Sequence, residues 1–154
     1  MELEYARSFR DLFAYRRAFL AAKRIFEFSK SFPEEEKYAL TSQIRRSSRS
    51  IGAQITEAWA KRKYERHFIS KLTDADGEQL ETQHWIRVAF SCGYLEESAA
   101  RSLIANLEEI GRLLQGMIDK ADAFCSSAKV AESSVLNFGT DADDPLVSQD
   151  SDQI

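Results

Sequence analysis

Chain breakers are nearly missing from this sequence. Six glycines and two prolines, Pro33 and Pro145, punctuate 154 residues. A sheet-rich fold needs frequent turns, and turns draw on Gly and Pro. Between the breakers, apolar residues recur at three- and four-residue steps, the period that places them on one side of a helix. Long helices joined by few connections are what such a chain can form.

Four helices are predicted. The first spans residues 8–31, with Leu12, Tyr15, Phe19, Ala22 and Phe26 on one side and Ile25, Phe28 and Phe32 on another. Pro33 closes it and opens the next, because the residue before a proline is pushed into extended backbone and proline suits a first helical turn. The second helix spans 34–62, with Leu40, Ile44, Ser47, Ile51, Ile55, Ala58 and Arg62 in its stripe. Its small residues Ser47, Ser48, Gly52 and Ala53 suit close approach of a neighbour. The third spans 64–92, with Phe68, Leu72, Ala75, Gln79, Gln83, Ile86 and Phe90 facing inward and Gly93 at its C-terminal stop. The fourth spans 96–124, along the seam Leu103, Leu107, Ile110, Leu114, Met117, Ala121 and Phe124. Short connections make neighbouring helices antiparallel. The expected architecture is all-α: an antiparallel up-down four-helix bundle over residues 1–125.

The first helix is apolar on more than one side, and such a helix is covered on more than one side. Six of the ten phenylalanines fall between Phe9 and Phe32. Phe9, Phe13, Phe19, Phe26 and Phe28 are therefore candidate contacts of a homo-oligomer. The alternative is that another part of the chain covers the second face.

The net charge of −4 hides a strong asymmetry. Residues 37–71 hold nine Lys/Arg against two Glu, whereas residues 72–111 hold eight acids against two Arg. Residues 126–154, rich in Ser and Asp, read as a disordered acidic tail. Arg45, Arg46 and Arg49 form one basic cluster, and Lys61, Arg62, Lys63 and Arg66 form another beside Tyr64 and His67. Arginine suits phosphate because its planar fork donates paired hydrogen bonds. Exposed rings can stack on unpaired bases. Two readings stay open: a surface for RNA or DNA, or cations that are solvated or paired with Asp74, Asp76, Glu78 or Glu81 within or between subunits.

Catalysis has no footing in the sequence. It has no Gly-x-Ser-x-Gly, phosphate loop or Gly-rich nucleotide motif. Glu81 and His84 form one Glu-x-x-His, with Glu78 nearby, but a di-iron bundle needs two such motifs and two further Glu. The expectation is no enzyme, no metal and no cofactor. Cys92 and Cys125 read as free thiols of a reducing compartment. Trp59 and Trp85 read as packing residues. No apolar run approaches the roughly 18 residues of a spanning helix, and the N-terminus lacks a signal pattern. The expected location is cytoplasmic, away from membranes.

Several phrases, in order, resemble one bacterial family: "SFRDLFAYRRAF", "FPEEEKYALTSQIRRSSRSI", "QITEA", "GEQLETQHWI", "CGYL" and "EEIGRLLQGMI". This is the four-helix-bundle family of the protein encoded in intervening sequences of 23S ribosomal RNA genes. The resemblance spans roughly residues 8–122. It implies a homopentameric ring around a central channel. It also implies a relation to the accessory variability determinant of diversity-generating retroelements, a basic pentamer that binds nucleic acid and a reverse transcriptase. Family members usually read "RRAAVSIPSNIAEG" where this chain has "RRSSRSIGAQITEA", so Gly52 stands in place of a proline, and Arg49 in place of a small or apolar residue. A non-enzymatic scaffold that binds RNA or DNA with little sequence specificity is the expected function. A protein-interaction adapter is the alternative, with the acidic tail as its tether or as a competitor for the basic surface.

Overall fold

The computed structural model describes residues 6–126 and 128–129. Among them the secondary structure is helical throughout, with four long helices: α1 (Phe13–Ser29), α2 (Leu40–Ala60), α3 (Glu65–Ser91) and α4 (Glu97–Asp119). Short 3-10 turns at Phe9–Asp11 and Glu34–Glu36 precede α1 and α2. After a turn at Lys120, residues 121–126 are helical again. The acidic segment expected over 126–154 lies, from residue 130, outside the described residues.

The boundaries shift where side chains claim backbone groups. The Ser8 hydroxyl accepts from the Arg10 amide (3.3 Å), and Asp11 Oδ2 accepts from the Arg7 and Ser8 amides (2.9 Å each). This reciprocal cap holds a separate 3-10 turn, so α1 begins at Phe13 instead of residue 8. After Pro33 the chain forms another 3-10 turn, and α2 begins only at Leu40, whose amide donates to Glu36 Oε2 (3.1 Å). Glu36 also accepts from the Tyr94 hydroxyl (3.2 Å), tying the α1–α2 and α3–α4 connections together. Gly93 takes φ +79° at the end of α3. Its amide donates to Phe90, and the Tyr94 amide reaches back to Ala89, 2.9 Å each. That pair of bonds is the Schellman stop, and it favours a glycine there.

Each helix packs on its sequence neighbours, and α1 also packs on α4. Contacts between α2 and α3 run in opposite numerical order. Arg46 meets Glu78 and Glu81, Ser47 meets Thr82, and Gln54 and Glu57 meet Lys71. The centre is filled by Ile44, Ile51 and Ile55 of α2, Phe68, Leu72 and Ile86 of α3, and Leu103, Leu107, Ile110 and Leu114 of α4. The α2 stripe and the α4 seam are the predicted ones, except that Arg62 and Phe124 are only half-buried.

Two stripes differ from expectation. On α3 the buried positions include Thr82 and Ala89, while Gln83 is half-buried and Phe90 is 46% exposed. The Thr82 hydroxyl lies 2.9 Å from that of Ser47 and donates to the Glu78 carbonyl at 2.7 Å, so this buried polar pair is satisfied. On α1 the buried face is Ala14, Ala18, Ala21, Ile25 and Ser29, not the aromatic stripe. Phe19 is 59% exposed, and Tyr15, Ala22 and Phe26 are half-buried. Alanines let α1 lie close to its neighbours, which displaces the bulky rings to its flank.

Glycine roles also redistribute. A methyl group at Gly52 would sit 3.8 Å from the Tyr15 ring, an ordinary contact, and α2 is uninterrupted there. At Gly111 a methyl would meet Gln79 Nε2 at 3.0 Å and Asp76 Oδ1 at 3.4 Å. Gln79 is buried, donates to Asp76 (2.9 Å) and accepts from the Gln83 amide (2.8 Å). Gly111 makes room for this relay between α3 and α4.

Candidate nucleic-acid interface

The three arginines of α2 diverge. A helix turns about 100° per residue, so Arg45 and Arg49 point toward α1 while Arg46 points toward α3. The Arg45 guanidinium lies 4.8 Å from the centre of the Phe26 ring, and its Nε donates to Ser29 Oγ at 2.7 Å. Arg49 lies 5.5 Å from the same ring. Lys30 approaches it too, at 4.9 Å, while pairing with Glu27 at 3.1 Å. The negative face of an aromatic ring attracts cations, so Phe26 gathers three of them beside the α1–α2 connection.

Arg46 is committed elsewhere. It reaches Glu81 at 2.5 Å and Glu78 at 3.4 Å, and Glu81 also accepts from the Trp85 indole at 3.1 Å. The hydrogen bond from Arg46 holds the Glu81 carboxyl below its ordinary range, and the bond to Glu81 pushes Arg46 still higher. Arg46, one of the seven cations read from the sequence as phosphate contacts, thus meets two carboxylates of its own chain. Asp74 pairs with Lys71 at 3.9 Å, and Lys71 with Glu57 at 2.7 Å, which holds the Glu57 carboxyl low.

The other four cations stand at the α2–α3 turn. Twelve residues, or about 18 Å of helix axis, separate Arg49 from Lys61. Arg62 sits over Trp59, its Cζ 3.4 Å from the ring centre, and its Nε donates to the Trp59 carbonyl at 2.9 Å. Burial lowers its pKa. Lys61, Lys63 and Arg66 are exposed. Tyr64 is 57% exposed, and its ring sits 5.5 Å from that of exposed His67. Glu65 is the one acid within residues 61–66. Cations beside exposed rings offer what single strands engage, charge for the backbone and flat faces for the bases.

The five phenylalanines assigned to an oligomer contact differ in exposure and in neighbours. Phe9 meets Tyr15 edge-on at 4.9 Å, and Tyr15 meets Phe19 at 6.2 Å. Phe28 packs on the core. Phe13, 68% exposed, lies outside this chain of rings. Tyr15, Phe19 and Phe26 instead wall a groove of about 440 Å³ between α1 and α2, floored by Ala18, Ala22 and Gly52. A second groove, of about 390 Å³, lies between α3 and α4, with Phe90, Ala100, Ile104 and Ala105 among its lining. The two grooves have no helix in common.

The metal reading finds its carboxylates engaged. Glu78 and Glu81 face Arg46, and His84 packs edge-on against Trp85 at 4.7 Å. Among the described residues no three His, Cys, Asp or Glu side chains converge on a point that would hold a metal ion. Cys92 is exposed and Cys125 buried, both free, and burial pushes the Cys125 thiol up. No helix among the described residues is long and apolar enough to cross a membrane. Sequence reasoning missed the Trp59–Arg62 stack, in which a cation just past the end of α2 folds back on a ring of its last turn. It also missed the Ser29–Arg45 bond, which joins two helices and carries no local signal.

Comparison with known proteins places these features. The profile described as 23S rRNA-intervening sequence protein matches residues 10–116. A crystal structure of a protein of unknown function from the S23 ribosomal protein family of Bacteroides thetaiotaomicron is 31% identical, with a TM-score of 0.63, covering 69% of this chain and 95% of that one. No curated protein matches.

Proposed function

The chain belongs to the 23S rRNA-intervening sequence protein family, and from that premise we propose that it is a non-enzymatic scaffold. In this reading an antiparallel up-down four-helix bundle self-assembles and presents its basic α2–α3 turns to RNA or DNA. The opposed numbering of the α2–α3 contacts supports the antiparallel course. Two grooves on unshared helix pairs support head-to-tail assembly, the α1/α2 one walled by aromatic rings and the α3/α4 one lined by Phe90 and Ile104 with Arg87, Glu97, Arg101 and Glu108; the α1/α2 face of one copy would then meet the α3/α4 face of the next. Such a contact closes into a ring when the rotation allows; the pentamer is the number the family resemblance implies.

The observation that carries the nucleic-acid part is the α2–α3 turn itself: Lys61, Lys63 and Arg66 exposed beside the Tyr64–His67 ring pair. Binding through phosphates depends steeply on salt and little on sequence. Fluorescence anisotropy with single-stranded RNA and DNA across a salt series tests it. Micromolar binding at about 50 mM salt is expected, and Lys61→Ala and Arg66→Ala should each lower the salt slope by about one. No binding at that salt would leave the adapter reading, which the Arg46–Glu78–Glu81 contacts favour because they spend an arginine on an ion pair.

A further inference from the structure

We infer that the acidic C-terminal segment, residues 130–154, docks on the basic α2–α3 turn of its own chain and competes there with anionic ligands. The segment carries Glu132, Asp141, Asp143, Asp144, Asp150 and Asp152 and no Lys or Arg. Removing those six acids from a net charge of −4 leaves the remainder at +2. The chain thus sets an acidic end against a body that is close to neutral overall and basic over residues 37–71.

Position brings the two together. The Phe124 ring packs on Phe68, in the first turns of α3, at 5.6 Å between centroids. Cys125 is buried beside it. The chain therefore leaves the fold at the start of α3, with Arg62 and Glu65 near Cys125, and Lys129, the last described residue, is exposed. The twelve residues 130–141 span up to about 40 Å when extended, several times the roughly 10 Å width of a helix. A tether this short holds its acids at millimolar effective concentration, so even weak ion pairing keeps them on the turn. The partner is a carboxylate-rich peptide, which offers Lys61 and Arg66 the same kind of anionic acceptors as a phosphate backbone. The competition with nucleic acid rests on the function proposed above; the docking does not.

The test uses the full chain. Cys92→Ser removes the exposed thiol, and a nitroxide at Ser148→Cys marks the segment. The two histidines are the reporters: His67 at the turn, and His84 seventeen residues along α3, about 25 Å away. At low salt the His67 ring resonances should broaden and those of His84 should not. About 0.5 M salt should restore His67, by screening, and so should neutralising all six acids to Asn or Gln. Unbroadened His67 at low salt, or equal broadening of both histidines, overturns the docking.

A second arm measures a single-stranded DNA 12-mer by anisotropy. Neutralising the segment should tighten binding about tenfold, the release expected from a competitor at millimolar effective concentration with a Kd near 0.1 mM. DNA bound equally by both chains, with His67 unbroadened, overturns the inference and leaves the proposed function standing. Docking with no DNA bound by either chain does the reverse.

Discussion

The Arg46 contacts can be weighed by a double-mutant cycle of Arg46→Ala and Glu81→Gln. Gln is chosen because its carbonyl still accepts from the Trp85 indole, so the cycle removes charge and spares that bond. The side chains of Arg46, Glu78 and Glu81 are 47%, 20% and 35% exposed. Pairs this wet are screened, and exposed ion pairs are worth about 0.2–1 kcal/mol. The close Arg46–Glu81 contact places this pair at the upper end, about 1 kcal/mol of coupling at pH 7, and Glu78, present at every corner, cancels from the cycle. The pH dependence has a fixed sign. Glu81's folded pKa lies below its ordinary 4.5, so the stabilisation is fully present above that value and is lost as pH falls through the depressed folded pKa. Urea unfolding with an unchanged m-value gives each corner of the cycle. Coupling below about 0.2 kcal/mol at pH 7, or coupling that survives protonation of Glu81, would refute the reasoning. The functional corollary is that Arg46→Ala leaves the salt slope of nucleic-acid binding unchanged.

Other outcomes follow from the packing. Gly52→Ala should raise stability by up to about 1 kcal/mol from helix propensity, since the added methyl meets Tyr15 at 3.8 Å. Gly111→Ala should fall below it by about 2 kcal/mol in urea unfolding, because the same gain is outweighed by overpacking against the buried Gln79 relay. Ala18→Leu should cost about 1–3 kcal/mol by forcing α1 away from its neighbours; Phe19→Ala, at an exposed position, should cost under about 1 kcal/mol in the monomer. Phe19→Glu, whose charge cannot be buried unpaired, should abolish assembly as read by light scattering. If Phe19→Glu and the parent have the same mass, the α1/α2 groove is not the assembly face.

Helix number, the α2 stripe, the α4 seam and the Gly93 stop were all legible, since each depends on spacing within one segment. The α3 stripe was legible only in part. Gln83 and Phe90 occupy helical steps as regular as those of Thr82 and Ala89, and the packing of α2 and α4 selects between them. The basic run at the α2–α3 turn could be read as a cluster because its residues are adjacent in the chain. The fate of Arg45, Arg46 and Arg49 could not be, because a long flexible side chain goes where its neighbours hold it. Those neighbours are Phe26 and Ser29 on one helix and Glu78 and Glu81 on another.

What the sequence determined by itself is what local periodicity and chain stereochemistry enforce: four long amphipathic helices, a left-handed glycine stop, and a basic stretch set apart from an acidic end. Only the tertiary structure decided which side of α1 turns inward. That helix offers two apolar faces, and hydrophobicity alone favours the aromatic one. The alanine face is buried instead, because burial depends on how closely backbones approach as well as on how much apolar surface a stripe carries. The rings it displaces then wall the groove beside α2 and carry the cations of Arg45 and Arg49.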